Sequence, residues 1–302
     1  MSVIETSLEK LRRAGAASAS AAAVIAPAPI AAVAPAAGRP EAVTPLESAF
    51  VHKRFAIDLA RLSAEGYVPE AGQERRFADS CHRIKRPLIA RALAAGAARD
   101  ARLIMLSGAL PGDGKTFIAL NLALSMARER DLSLLLIDGD LPKARITRLF
   151  GLLGERGLLD ALRDERLDVE SLVLKSDLPG LAFLPAGAHP EGAAELISST
   201  RMRDVADRLL SRNPRRLVLF DSPPLLVSSE ARALAQIPGQ IVLVARAGRT
   251  PQRAVTDAIA QIDKAKLQGL VLNDAYVGVE QAYYDYYGYG EPVDTVAKQP
   301  AR

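Results

Sequence analysis

Residues 109–116 read Ala-Leu-Pro-Gly-Asp-Gly-Lys-Thr, eight positions whose types and spacing suit one task, the holding of a polyphosphate. Gly112 and Gly114 permit the tight turns that aim backbone N–H groups at phosphate oxygens. Lys115 supplies an ammonium for the β- and γ-phosphates, and Thr116 a hydroxyl for Mg²⁺. Ala109 stands where the first glycine of this spacing is usually found. Pro111, Asp113 and Phe117 complete the candidate nucleotide contacts. Further on, Leu134–Ile137 ends in Asp138, with Asp140 two residues beyond, and Leu217–Phe220 ends in Asp221. A phosphoryl-transfer site needs carboxylates for its metal ion. One Asp after a strand is commonly a cap or turn residue; three converging on a phosphate loop point to a metal. Asn273, after the apolar run Leu270–Leu272, is a candidate adenine contact, or else a turn residue. ATP and Mg²⁺ are the cofactors this constellation calls for.

The tail offers a second chemistry. Of seven tyrosines, six lie between Tyr276 and Tyr289, in the run Tyr283-Tyr284-Asp285-Tyr286-Tyr287-Gly288-Tyr289. Such a run is either a sticky low-complexity tail or a set of phosphoryl acceptors.

These groups need a scaffold that brings them together. Short apolar runs at 103–106, 134–137, 181–184, 217–220, 241–244 and 270–272 fit strands buried on both faces. Helical stretches separate most of them; Val255, Ala258, Ile259 and Ile262 follow an i, i+3, i+4, i+7 spacing. The alternation predicts an α/β fold with a doubly wound, mostly parallel sheet and helices on both faces, and residues 109–116 make it a P-loop NTPase. All strands then point one way, which gathers Asp138, Asp140 and Asp221 at the phosphate-loop edge. Residues 1–14 are predicted as an amphipathic helix and 15–45 as an Ala/Pro-rich linker. A kinase-sized domain is expected over 46–275, opening with a helical segment broken near Gly66–Pro69 and at Pro87, and 276–302 is the tyrosine-rich tail.

Composition limits the alternatives. The chain has 302 residues and a formal charge of +4, from 39 basic and 35 acidic residues. No basic stripe with interleaved aromatics is present, so a nucleic-acid partner is not expected. The single cysteine, Cys81, forbids an intrachain disulfide framework and fits a reducing compartment. Pro27, Pro29 and Pro35 interrupt the apolar stretch 16–37, which therefore reads as linker rather than membrane span or signal, and a cytoplasmic location is expected.

Taken together, these residues resemble the bacterial tyrosine kinases of capsule and exopolysaccharide synthesis, and among them the autokinases associated with exosortase-type systems. The resemblance spans about residues 55–289. It rests on 107–116 as Walker A, 135–140 as Walker A′, 217–224 as Walker B, the Ile84-Lys85-Arg86-Pro87-Leu88 segment, Glu230-Ala231-Arg232 and Ala247-Gly248-Arg249-Thr250. The A′ motif is shared with MinD/ParA ATPases, so the tail discriminates. Two positions depart from the family pattern: Pro142 stands where Arg often follows the second A′ Asp, and Asp79, His82 and Lys85 stand in place of Glu-x-x-Arg-x-x-Arg.

The resemblance implies a protein-tyrosine autokinase. Lys115, Asp138 and Asp140 would be catalytic, with Asp138 taking or orienting the phenol proton, and Thr116, Asp140 and Asp221 would hold Mg²⁺. Tyr283, Tyr284, Tyr286, Tyr287 and Tyr289 would be the acceptors, presented by a neighbouring subunit. It further implies a ring-like homo-oligomer built through Asp79, His82 and Lys85, a membrane chain-length regulator (polysaccharide co-polymerase) as partner, an opposing tyrosine phosphatase, and a position peripheral to the inner membrane. A MinD/ParA-type ATPase and a nucleotide-sensing scaffold of a polysaccharide assembly complex without kinase activity are the competing readings.

Overall fold

The computed structural model describes residues 52–69, 74–188 and 191–275. The expected N-terminal helix, the linker and the tyrosine cluster lie outside the described residues.

The strands are β1 (Arg54–Phe55), β2 (Leu103–Gly108), β3 (Ser133–Asp138), β4 (Leu174–Ser176), β5 (Leu181–Leu184), β6 (Arg216–Asp221), β7 (Gln240–Arg246) and β8 (Leu267–Asn273). They form one sheet in the order β1-β4-β5-β3-β6-β2-β7-β8. Neighbours pair in parallel except β4 with β5. The helices are α1 (Leu59–Ala64), α2 (Glu74–Ala92), α3 (Lys115–Met126), α4 (Arg145–Leu149), α5 (Leu158–Arg163), α6 (Ala193–Ser198), α7 (Thr200–Ser211), α8 (Ser229–Leu234) and α9 (Gln252–Ile259), with 3₁₀ turns at Arg99–Arg102 and Val169–Leu172.

Alternate residues of each central strand enter opposite cores, as the period of two requires. Leu103 and Met105, Leu135 and Ile137, Val218 and Phe220, and Ile241 and Leu243 pack with α5 to α9. Ile104 and Leu106, Leu134 and Leu136, Leu217 and Leu219, and Val242 and Val244 pack with α1 to α4. This two-sided burial is why the strands read as unbroken apolar runs.

Three local expectations are corrected. The 46–93 region is not wholly helical, because β1 adds a two-residue strand alongside β4. Pro87 does not break a helix: it lies inside α2, on its exposed side, where the carbonyl freed by the missing N–H can be hydrated. The strand expected at 270–272 runs from Leu267 to Asn273.

Candidate active site

The carboxyl ends of β2, β3 and β6 converge. Asp138 and Asp221 are directly paired in the β3–β6 register. The Gly139 N–H donates to Asp221 O at 2.7 Å, and a Cβ on Gly139 would lie 2.8 Å from that oxygen. Only glycine fits between Asp138 and Asp140 here. The segment after β6 is laced to β2: Ser222 N–H donates to Leu106 O at 3.1 Å, Leu225 N–H to Gly108 O at 2.9 Å, and Ser107 Oγ to Pro223 O at 3.0 Å.

The phosphate loop joins β2 to α3. Gly112 and Gly114 have φ of +88° and +91°, the left-handed region where a Cβ is costly. Ala109, in the position usually held by glycine, is fully buried and its methyl belongs to the core on the α5–α9 side. Pro111 and Gly112 are exposed at the loop tip. Asp113 is buried and shapes the loop: its Oδ2 accepts from Leu110 N at 2.8 Å, and its Oδ1 from Thr250 Oγ1 at 2.6 Å. Thr250 Oγ1 in turn accepts from Arg246 N at 2.8 Å. Asn273 Nδ2 donates to Asp113 O at 3.1 Å. Asn273 therefore lies against the loop at Gly114. Phe117 stacks edge-on with Phe77 of α2, ring centroids 5.2 Å apart, and so contributes to packing behind the loop.

Lys115 is buried, and its Nζ donates to Leu110 O at 3.0 Å. Burial lowers its pKa, against the opposing pull of Asp113, Asp221 and Asp140. The Asp138 Oδ2 is pinned by both donors of Thr147, backbone N and Oγ1, each at 2.8 Å, while Oδ1 has no partner. Burial pushes its carboxyl up to about 6. Asp221 is wholly buried and neither oxygen has a hydrogen-bond partner of good geometry. Burial, with Asp138 adding to it, raises its carboxyl to about 8; the nearby Thr116 hydroxyl and Lys115 only partly oppose this. Asp140 is raised by burial and held back by Lys143 and Lys115.

Buried carboxylate oxygens without donors are costly unless a cation completes them. The donor set is hard oxygen, as Mg²⁺ requires. Among the described residues no group of three or more Asp, Glu, His or Cys could hold a metal unaided. Mg²⁺ takes one or two carboxylates together with phosphate oxygens and water.

Two contributors were not legible in the sequence. Arg145, the first residue of α4, donates from Nη1 to Tyr67 Oη at 2.8 Å, and its charge acts on Asp140 and Asp221. Thr147 anchors Asp138. A cation and a hydroxyl just after the A′ carboxylates were the available signals. Of the expected oligomer-interface row, Asp79 and His82 are exposed on α2 and Lys85 is buried within the chain. Its ammonium binds Ser125 O at 3.0 Å and Glu129 Oε1 at 2.8 Å. At 100° per residue it stands about 120° around the helix from Asp79, on the side facing α3.

No protein-family profile matches the chain. The putative tyrosine-protein kinase EpsB of Ralstonia solanacearum is 34% identical over 190 residues, 62% of this chain and 24% of EpsB. The chain thus spans about a quarter of that relative. The tyrosine-protein kinase YwqD of Bacillus subtilis is 32% identical over 192 residues, covering 63% of this chain and 79% of YwqD. In structure, the VpsO kinase domain superposes with a TM-score of 0.56 at 28% identity, over 68% of this chain and 100% of that domain. Sequence likeness across most of YwqD, together with the superposition on a kinase domain, leads to one conclusion: the chain belongs to the bacterial tyrosine-protein kinase family.

Proposed function

We propose that the chain transfers the terminal phosphoryl group of ATP to tyrosine, and that its own cluster, Tyr283, Tyr284, Tyr286, Tyr287 and Tyr289, is the acceptor, presented by a neighbouring copy. One observation carries the reading: a buried lysine feels the charge of buried Asp221, neither of whose oxygens has a donor, and the in-register strand-end carboxylate beside it, Asp138, keeps one oxygen free. That arrangement fits a metal-bound triphosphate far better than a structural ion pair.

Loop N–H groups and Lys115 bind the phosphates and stabilise the charge that spreads over the transferring group. Mg²⁺, held by Thr116, Asp140 and Asp221, would supply charge neutralisation at the phosphate oxygens. Asp138 is suited to take the phenol proton. Thr147 fixes one of its oxygens and leaves the other free, and with a pKa of about 6 it is ionised yet basic near pH 7.5. Tyrosine, with a pKa near ~10, needs such help. The acceptor segment begins beside the site, because β8 ends at Asn273 against the phosphate loop and Tyr283 follows by ten residues. That length spans at most about 35 Å.

We further assign the chain a regulatory role in exopolysaccharide polymerisation or export, as a homo-oligomer working with a membrane chain-length regulator and opposed by a tyrosine phosphatase, cytoplasmic and peripheral to the membrane. Among the described residues no helix is long and apolar enough to cross a bilayer. Asp79 and His82 remain candidates for the contact between copies. The test is incubation of the full chain with Mg-ATP, followed by mapping of phosphate by mass spectrometry. Tail label that disappears in Lys115→Met and drops at least about 100-fold in Asp138→Asn supports the assignment. ATP turnover with no phosphotyrosine would refute it.

A further inference from the structure

The segment after Asp140 is built to place a cation. Pro142 carries none, and the chain next offers Lys143 and Arg145. Ala144, between them, has φ +44°. A left-handed conformation costs a residue with a Cβ about 1–2 kcal/mol, and persists only where its surroundings enforce it. Here Ala144 N–H donates to Asp140 O at 2.7 Å, and Lys143 N–H to the same oxygen at 3.0 Å. The turn folds back on the second A′ carboxylate and starts α4 at Arg145.

Arg145 is then fixed from across the site. Its Nη1 is 2.8 Å from the hydroxyl of Tyr67, 78 residues away in sequence. Tyr67 is itself secured at three points. Its N–H donates to Leu62 O at 2.7 Å, its carbonyl accepts from Asn121 Nδ2 at 2.8 Å, and its half-buried ring packs on the α1–α4 core. Asn121 is buried on α3, the helix that starts at Lys115, and also donates to Phe117 O at 2.7 Å. A single tyrosine therefore ties the phosphate-loop helix to the guanidinium on the far side of the carboxylates.

The position along the nucleotide follows from the charges. Arg145 acts on Asp140 and Asp221, the carboxylates that also act on Lys115. It begins the helix that follows the turn closed on the Asp140 carbonyl, next to the second A′ carboxylate. Only one of its five N–H donors is used by Tyr67, and a planar fork binds a phosphate through two parallel hydrogen bonds.

We propose that Arg145, positioned by the Tyr67 hydroxyl, contacts the terminal phosphate and makes this site select nucleoside triphosphate over diphosphate. The inference rests on the nucleotide reading above and adds to it a selectivity at the terminal phosphate. Tyr67 is a positioning residue; Arg145 touches the substrate.

Calorimetric titration of the full chain with a non-hydrolysable Mg-ATP analogue and with Mg-ADP tests this. The proteins are wild type, Arg145→Ala, Arg145→Lys, Tyr67→Phe and Lys143→Ala. A charge-assisted hydrogen bond to phosphate corresponds to about a 10- to 100-fold change in affinity. Arg145→Ala should lose about that much for the triphosphate and less than about 3-fold for the diphosphate. Arg145→Lys should recover part of the preference, because it keeps the charge and loses the fork. Tyr67→Phe should move the same ratio in the same direction by a smaller factor, with KM for ATP rising more than kcat falls. Melting temperature without nucleotide identifies any variant that fails to fold, and for such a variant the Arg145→Lys ratio decides. Equal losses for both nucleotides in Arg145→Ala, or a triphosphate-selective loss in Lys143→Ala alone, overturns the inference while leaving the kinase reading intact. Wild type that binds neither nucleotide overturns both.

Discussion

Replacing Asp221 by Asn should make the nucleotide-free protein more stable while destroying its use of Mg²⁺. Asp221 is fully buried beside Asp138, with neither carboxylate oxygen satisfied. Its carboxyl titrates at about 8 in place of the usual 3.8. A carboxyl raised in the folded state binds its proton more tightly there than in the unfolded chain. Its contribution is therefore intact below about pH 4 and is lost progressively as pH climbs towards 8 and beyond. Each pH unit of that displacement is worth about 1.4 kcal/mol, so the full effect at pH 9 is on the order of 5 kcal/mol. Water entering the ionised site recovers part of it, and Asn brings an amide that also lacks partners, so a net gain of about 2–3 kcal/mol is the expected magnitude. Urea denaturation in EDTA at pH 5, 7 and 8.5 measures this. The wild-type midpoint should fall across the series, whereas the Asp221→Asn midpoint should fall less and exceed wild type at pH 8.5. Adding Mg-ATP should then rescue wild type and leave the variant unchanged. A variant less stable than wild type at pH 8.5 without metal would show that Asp221 has a structural partner and that the cost assigned to its burial is wrong.

Three further outcomes follow from other contacts. Thr250→Val removes the hydroxyl that holds Asp113; KM for ATP should rise by roughly 3- to 10-fold, about the net value of one ordinary hydrogen bond because the effect reaches the nucleotide only through the loop, with Thr250→Ser restoring it in steady-state assays. Gly114→Ala forces a Cβ into the left-handed φ of +91° and into the Asn273 carboxamide; calorimetry should find nucleotide binding abolished, and denaturation a loss of about 1–2 kcal/mol. Arg216→Ala strips Glu170, 1% exposed, of two hydrogen bonds of 2.6 and 2.7 Å and leaves it only His52, at 3.9 Å; a buried carboxylate that has lost its arginine should cost about 3–5 kcal/mol in denaturant titration, while nucleotide affinity at low temperature stays at the wild-type value.

Of the six long strands, β2, β3, β5, β6 and β7 were legible because they are buried on both faces, and β3 and β6 end at Asp138 and Asp221, whereas the edge strand β8 is half-exposed and showed only in its apolar residues. Runs such as Leu134–Ile137 admit little else, and a parallel sheet converts "after the strand" into "at the site". β1 and β4 were not legible. Arg54-Phe55 and Leu174-Lys175-Ser176 are short and partly polar, and only their pairing makes them strands. Pro87 misled for the opposite reason, since a local rule about proline gives way where the freed carbonyl faces solvent. The partners of the site residues lay beyond any local pattern: Thr250 meets Asp113 across 137 positions and Tyr67 meets Arg145 across 78. Lys85 shows the same limit, because charge alone did not reveal that Glu129 and the Ser125 carbonyl draw it inward.

The hydrogen bond from the Lys115 ammonium to Leu110 O bears on how quickly and how selectively this site fills. An ammonium resting in bulk water must shed its hydration shell when a phosphate arrives, which taxes every encounter. Here the shell was surrendered when the chain folded, and the arriving oxygen needs only to displace a neutral carbonyl. Ligands that present a full negative charge gain from that exchange, whereas dipolar ones gain almost nothing. The lysine thus screens incoming molecules by charge before any metal or acceptor takes part.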